Sequence, residues 1–383
     1  VSGFSGTGQA ATASPVFLFA TEDGTIVGWS PNVNPTGFDA AKAGTYAILA
    51  VDNSGNNLTE PNEKKQTGAV YKGLAIATSP TAGTPIFTSD PNSTSVLYAA
   101  NFRSGQVEVY GRNFQPVTLA AGAFRDRTLP GDYAPFNVQV LGGKVYVTYA
   151  KQDANKKDDV AGHNHGFVDV FNLDGSPAGP SGSPRLITRD HLDSPWGVAI
   201  APASFGSLAG DLLVGNFGSG RIDAFDSTGH FQGQLVDPDG EPIEIDGLWA
   251  LQVGNGQRGG DANSVYFTAG LFDESHGLFG SLTPVAAGTD EGDAEQQMVT
   301  AALDVFNLAV DAFQHDLTSG ASRDQLRQDL RAVVTAFHDY LRAAADLAAD
   351  QQDDQGGGGG RSSSFQIPSL GDLFADLGRR DQD

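Results

Sequence analysis

The side chains able to do chemistry in this chain gather at turns that follow the first of two paired apolar stretches: Glu22, Asn101 with Arg103, Lys151 with Asp153, Asn216, and Asp273 followed by His276. Turns on one side of a fold bring carboxylate, amide, ammonium and imidazole groups together as a ligand-binding ring. Oxygen donors in such a ring suit a divalent cation such as calcium, with Glu22, Asn101 and Asn216 as the expected ligands. A carboxylate beside that cation can act as general base on a metal-polarised lactone or ester. Asp237, Asp239 and Glu241 in DPDGE form a second acidic set for loose calcium binding, without the spacing or closing glutamate of an EF-hand; a polar turn is the plainer reading. His163 and His165, in the insertion KQDANKKDDVAGHNHG, are transition-metal ligand types on what reads more simply as an exposed charged loop. There is no G-x-S-x-G elbow, no H-E-x-x-H and no cysteine, so covalent catalysis has no candidate nucleophile.

The elements that must position these groups are strands. LLVGNFGSGRIDAFDSTGHFQGQL, from Leu212 to Leu235, has the glycine crowding of a phosphate loop, but a phosphate cradle opens a helix. Here Arg221-Ile222-Asp223-Ala224-Phe225 alternates at period two, so the glycines make a hairpin turn. The layout recurs in VFLFATEDGTIVGWSP from Val16, in VLYAANFRSGQVEVYGRNFQPV from Val96, in KVYVTYAKQD and GFVDVFNLDGSP from Lys144 and Gly166, and, degenerate, in VYFTAGLFDESHGLFGSL from Val265. A further apolar strand precedes most copies: YKGLAIA, PFNVQVL, PWGVAIA and GLWALQV. A period of about 50 to 65 residues, each an antiparallel sheet of about four strands, is the pattern of propeller blades stacked about an axis. Five such blade signals are present, and the fold class is an all-β propeller over 1–285 followed by a helical hairpin.

Composition fits: 383 residues, 49 of them glycine and 39% hydrophobic, suffice for one large β domain with an appendage. A net charge of −23 argues against nucleic acid and anionic membrane surfaces as partners. No run of apolar residues is long enough for a transmembrane helix. The sequence begins at Val1 with Met298 as its one methionine, from which a processed, secreted or periplasmic product is expected.

GVAIAPASFGSLAGDLLVGNFGSGRIDAFDSTG resembles a repeat of the NHL type. The run FATEDGTIVGW, LYAANFRSGQVEVY, YAPFNVQ, VYVTYAKQDANKKDDVAG, GNFGSGRIDAFD and GLFGSLTPV resembles an uncharacterised family of secreted bacterial six-bladed propellers over roughly Pro15 to Val285. That resemblance implies six blades and no established activity; it also implies that a sixth blade is completed by residues preceding Val1, against the alternative of five blades closed by Val1 to Gly6. Gluconolactonase-type propellers hold a metal through Glu, Asn and Asp, and the likeness to them is positional only.

From Gly292 the period changes. Val299, Leu303, Phe306, Val310, Phe313 and Leu317 predict one amphipathic helix; Leu326, Leu330, Val334, Phe337, Leu341 and Leu347 predict a second, capped by Ser322 and Gln325, so 292–350 is an αα-hairpin. QQDDQGGGGGRSSS over 351–364 reads as a flexible linker. The hairpin and the tail 365–383, with Phe365, Ile367, Leu370, Leu373, Phe374 and Leu377, read as elements that dock on a protein partner or on a second copy, against the plainer reading of a hairpin folded on its own propeller and a tail docked on its own chain or disordered. Two functions stand: an exported binding or scaffold module, and a metal-dependent lactonase-like or esterase-like hydrolase at the channel mouth. Whether the chain is an enzyme stays open between them.

Overall fold

A computed structural model describes residues 15–31, 46–55 and 68–284, part of 299–318, and 322–353. The chain divides into two compact units, Val1–Thr283 and Pro284–Asp383.

The described residues of the first unit form five antiparallel sheets in chain order. The first holds β1 (Phe17–Ala20), β2 (Thr25–Trp29) and β3 (Ile48–Asp52), and the second β4 (Tyr71–Thr78), β5 (Ser95–Asn101) and β6 (Gln106–Tyr110). The third holds β7 (Tyr133–Leu141), β8 (Lys144–Lys151), β9 (Phe167–Asn172) and β10 (Arg185–Thr188). The fourth holds β11 (Pro195–Ile200), β12 (Leu212–Asn216), β13 (Ile222–Phe225) and β14 (Phe231–Gln234), and the fifth β15 (Leu248–Val253), β16 (Val265–Gly270) and β17 (His276–Leu282). A single helical turn, α1 (Leu271–Glu274), joins the last two strands.

The hairpins arise where the sequence places them. Gly105 and Gly220 close equivalent turns with φ of +70° and +72°, donating their amides to the Asn101 and Asn216 carbonyls at 3.0 and 2.8 Å. The glycines at 215–220 therefore link β12 to β13, with no helix behind them.

Each sheet buries a face against the next. Ile26 and Val51 of the first sheet pack with Tyr71, Leu97 and Ala99 of the second. Tyr98 and Val107 of the second share a core with Val147 and Phe171 of the third. Val168 and Ile187 meet Val198 and Phe225 between the third and fourth, and Leu213 and Ala224 meet Leu251 and Phe267 between the fourth and fifth. This sequential stacking is propeller-like. On the opposite face of the first sheet, Phe17, Phe19 and Leu49 remain 45–56% exposed.

Close approach among the first strands of the second to fifth sheets fixes where the site lies. Asn137 of β7 donates through Nδ2 to the Trp196 carbonyl of β11 at 2.8 Å, and Gln139 Nε2 donates to the Leu251 carbonyl of β15 at 3.3 Å. The Trp196 indole N–H reaches back to the Lys72 carbonyl of β4 at 3.1 Å. At Gly197 a Cβ would stand 2.8 Å from the Leu251 amide nitrogen and nearer still to the Trp249 carbonyl, so β11 and β15 meet backbone to backbone. Gly197 is not held at positive φ, so Gly197→Ala tests this approach alone; a loss of about 1–3 kcal/mol in urea unfolding is expected, and a neutral or stabilising result would refute the contact.

In the second unit the described positions of 299–318 are helical and α2 runs Arg323–Asp353. Ser322 Oγ accepts from the Gln325 amide at 3.2 Å, which is half of the expected capping box. The Gln325 side chain donates instead to Asp329 at 2.9 Å. The buried stripe of α2 is Val333, Ala336, Tyr340 and Ala344, with Phe337 against Phe306, while Leu330 and Val334 are about half exposed. Of the expected stripe, Phe337 and Leu341 pack against the buried cluster, while Leu330 and Val334 lie partly off it. The helix takes in Gln351, Gln352 and Asp353, the first three positions of the expected linker, while the rest of the linker and the tail residues Phe365, Ile367, Leu370, Leu373, Phe374 and Leu377 lie outside the described residues. Among the described residues no helix is long and apolar enough to cross a membrane.

Candidate functional site

Four first strands carry the same motif position toward one place. Aligning YKGLAI, PFNVQV, PWGVAI and LWALQV sets Lys72, Phe136, Trp196 and Trp249 in register. Phe136 is fully buried, with ring centroids 5.4 Å from Phe102, 6.3 Å from Phe217 and 5.8 Å from Trp249. Trp249 lies 4.3 Å from Phe217 and meets Trp196 edge to face at 5.5 Å. Trp196, Phe217 and Trp249 are each partly exposed, so the group presents aromatic surface above a dry base.

Charged groups rim that surface. The Lys72 ammonium sits 5.8 Å from the Phe136 ring centroid, and its side chain is only 7% exposed. It donates to Glu22 Oε1 and stands 3.5 Å from Asp158 Oδ1; Lys157 Nζ is 3.3 Å from the other Glu22 oxygen. Burial pushes the Glu22 carboxyl up, but the Lys72 and Lys157 charges outweigh it and hold the group below its ordinary range. Burial raises the Asp159 carboxyl above its ordinary range. At the other side, Glu274 Oε1 accepts from the Trp249 indole at 2.7 Å.

The sequence-predicted ring is thus brought together in part. Glu22 meets the 151–166 loop through Lys72 and Lys157, and the Asp153 carboxylate organises that loop by accepting the Lys157 and Asp158 amides at 2.8 and 3.3 Å. Lys151 stands 4.0 Å from Asp132, and Arg103 donates to the Gly68 carbonyl at 3.0 Å. His276 shares a 2.9 Å hydrogen bond with Ser275.

Asn101 and Asn216 are committed to their own turns. Asn101 Oδ1 accepts from the Val70 and Ser104 amides, and its Nδ2 donates to Glu108 at 2.7 Å. Asn216 repeats the device, accepting from the Asp193 amide at 2.9 Å and donating to Asp223 at 2.8 Å. Asparagine followed seven positions later by an acid, seen at 101/108 and 216/223, is therefore a structural signature of the hairpin. Asp237 likewise caps its own turn, accepting the Asp239 and Glu241 amides at 3.0 and 2.9 Å. His165 Nδ1 lies 2.9 Å from the Val160 carbonyl. Among the described residues no three His, Asp or Glu side chains are grouped to hold a metal ion; the side chain of Asp273 is not among those described.

No family model matches the chain. Two uncharacterised proteins of Acanthamoeba polyphaga mimivirus are similar to it: R648, 30% identical over 73% of this chain and 60% of that protein, and L690, 34% identical over 56% of this chain and 51% of that protein. The chain spans less than two thirds of the length of these relatives. They are viral, whereas the sequence resemblance pointed to secreted bacterial proteins. Among solved structures, a Bacteroides caccae protein of unknown function overlaps 58% of this chain and 60% of its own at a TM-score of 0.33 and 11% identity. An auxiliary nutrient binding protein of Bacteroides thetaiotaomicron overlaps 65% of this chain and 55% of its own at 0.30 and 11%.

Proposed function

We propose that the β unit is a binding module that takes a neutral, polyhydroxylated small molecule, the chemistry of a saccharide, on the aromatic surface of Trp196, Phe217 and Trp249. The supporting observation is partly exposed aromatic surface in the middle of a charged rim. Ring faces accept the apolar C–H face of a pyranose, while Glu22, Asp158 and Glu274 offer acceptors to its hydroxyls. The rim is suited to holding a ligand rather than to hydrolysing one, because its lysines and carboxylates already pair with each other and the Asn101 and Asn216 amides are spent in turns. The same reading assigns the apolar face of the first sheet to a sixth sheet, and the 365–377 tail to protein contact.

The chain has three tryptophans, two of them in this site, so intrinsic fluorescence reports on it directly. A Trp29→Phe variant titrated with a panel of neutral di- and trisaccharides is expected to show a saturable change with at least one member, abolished by Trp249→Ala. A flat response across the panel, or a response that survives Trp249→Ala, overturns the proposal. Turnover of a lactone or ester panel that depends on added calcium would favour the hydrolase instead.

A further inference from the structure

Away from the aromatic site, a cavity of about 380 Å³ opens between the second and third sheets. Its walls come from the β5–β6 turn, the loop between β6 and β7, the start of β7 and the end of β8. That volume falls within the range of about 300–1,000 Å³ typical of small-molecule sites. Leu119, Phe124, Leu129 and Pro130 give it an apolar side, and Tyr133 and Tyr149 an aromatic one.

Three cations line it: Arg125, Arg127 and Lys156. All three are exposed, and among the described residues none is in an ion pair, whereas Lys72, Lys157, Arg185 and Arg221 all are. The lining carboxylate, Asp126, is spoken for: Oδ2 accepts from Arg185, and Oδ1 accepts the Thr128 amide and hydroxyl, each at 2.7 Å. The cavity therefore carries an uncompensated positive charge in a chain of net charge −23. Two lining residues, Phe124 and Lys156, hold left-handed backbone at φ of +52° and +55°, a conformation that costs non-glycine residues and recurs at binding sites. Phe124 is fixed there by the hydrogen bond its amide donates to the Gly175 carbonyl at 2.9 Å and by ring contact with Tyr98 and Phe171.

We infer that this cavity binds a small organic oxyanion, an apolar or aryl body bearing one carboxylate, sulfate or phosphate, with the anion held by Arg125, Arg127 and Lys156 and the body against Phe124, Leu129 and Tyr149. A polyanionic macromolecule is disfavoured by the net charge of −23 on the whole chain. Guanidinium groups accept an oxyanion through paired N–H donors, and at exposed positions that attraction weakens with salt.

Calorimetric titration of the full chain with benzoate, phenyl sulfate and phenyl phosphate at low ionic strength, with benzyl alcohol as neutral control, tests this and identifies the preferred anion. At least one anion is expected to bind saturably, more weakly as salt rises, and benzyl alcohol not to bind. Arg125→Gln combined with Arg127→Gln and Lys156→Gln is expected to weaken binding at least about tenfold. These side chains are exposed, so the variant should fold; an unchanged far-ultraviolet spectrum and melting temperature check that it has. Leu129→Arg, which fills the apolar side while adding a cation, separates cavity binding from simple surface attraction: it should abolish binding in the first case and strengthen it in the second. Failure of all three anions to bind, equal binding by the triple variant, or stronger binding by Leu129→Arg overturns the inference.

Discussion

Replacing Arg185 with methionine is expected to destabilise the β unit by about 3–5 kcal/mol, read from urea unfolding followed by tryptophan fluorescence. Arg185 donates through Nε to Asp169 at 2.9 Å and through Nη2 to Asp126, and its guanidinium lies 4.3 Å from the Phe167 ring centroid. Both carboxylates are almost wholly buried, so methionine would leave two buried charges and no cation. Burial lifts the Asp169 carboxyl from an ordinary 3.8 to about 6, against the opposing Arg185 charge. Between those values the folded protein keeps a proton that the unfolded chain has released, so stability falls as pH rises from about 4 to about 6 and levels off above. Arg185 opposes that rise, so the Arg185→Met loss should be larger at pH 8 than at pH 5. Asp169→Asn should flatten the slope while costing much less, because it leaves a balanced Arg185–Asp126 pair. An Arg185→Met variant within about 1 kcal/mol of the parent at pH 8 would show the cluster to be energetically idle.

Phe136→Ala is expected to cost a similar amount, about 3–5 kcal/mol, since a fully buried phenyl ring would be replaced by a cavity. The ring lies beneath Phe217, Trp249 and the Lys72 ammonium, so its loss also loosens the proposed binding surface. Phe136→Leu keeps most of the volume and should cost distinctly less. Tryptophan emission shifted to longer wavelength in Phe136→Ala, and not in Phe136→Leu, would accompany the stability change. Equal small effects of both would mean that the aromatic group is not packed as a core.

The sequence by itself determined the local pieces of this protein. Period-two alternation and glycines such as Gly105 and Gly220 specify hairpins, because only turn geometry with positive φ joins such strands tightly. YKGLAIA, PFNVQVL, PWGVAIA and GLWALQV were legible as strands preceding those hairpins, and Ser322 as a helix cap. What they assemble was not. Lys72 and the two tryptophans read as strand residues; only the tertiary structure places the Trp196 indole on the Lys72 carbonyl across 124 positions of sequence. Asn101 and Asn216, the most ligand-like groups in the sequence, are absorbed by their own turns, a fact that depends on Glu108, Asp223 and the incoming Val70 and Asp193 amides. Asp126, distant by 59 residues in the loop between β6 and β7, meets Arg185 only when that loop packs against the third sheet. Alternation decides which face of a strand a side chain takes. It does not decide which other sheet that face meets, because stacking is set by twist and by the summed burial of residues far apart in the chain.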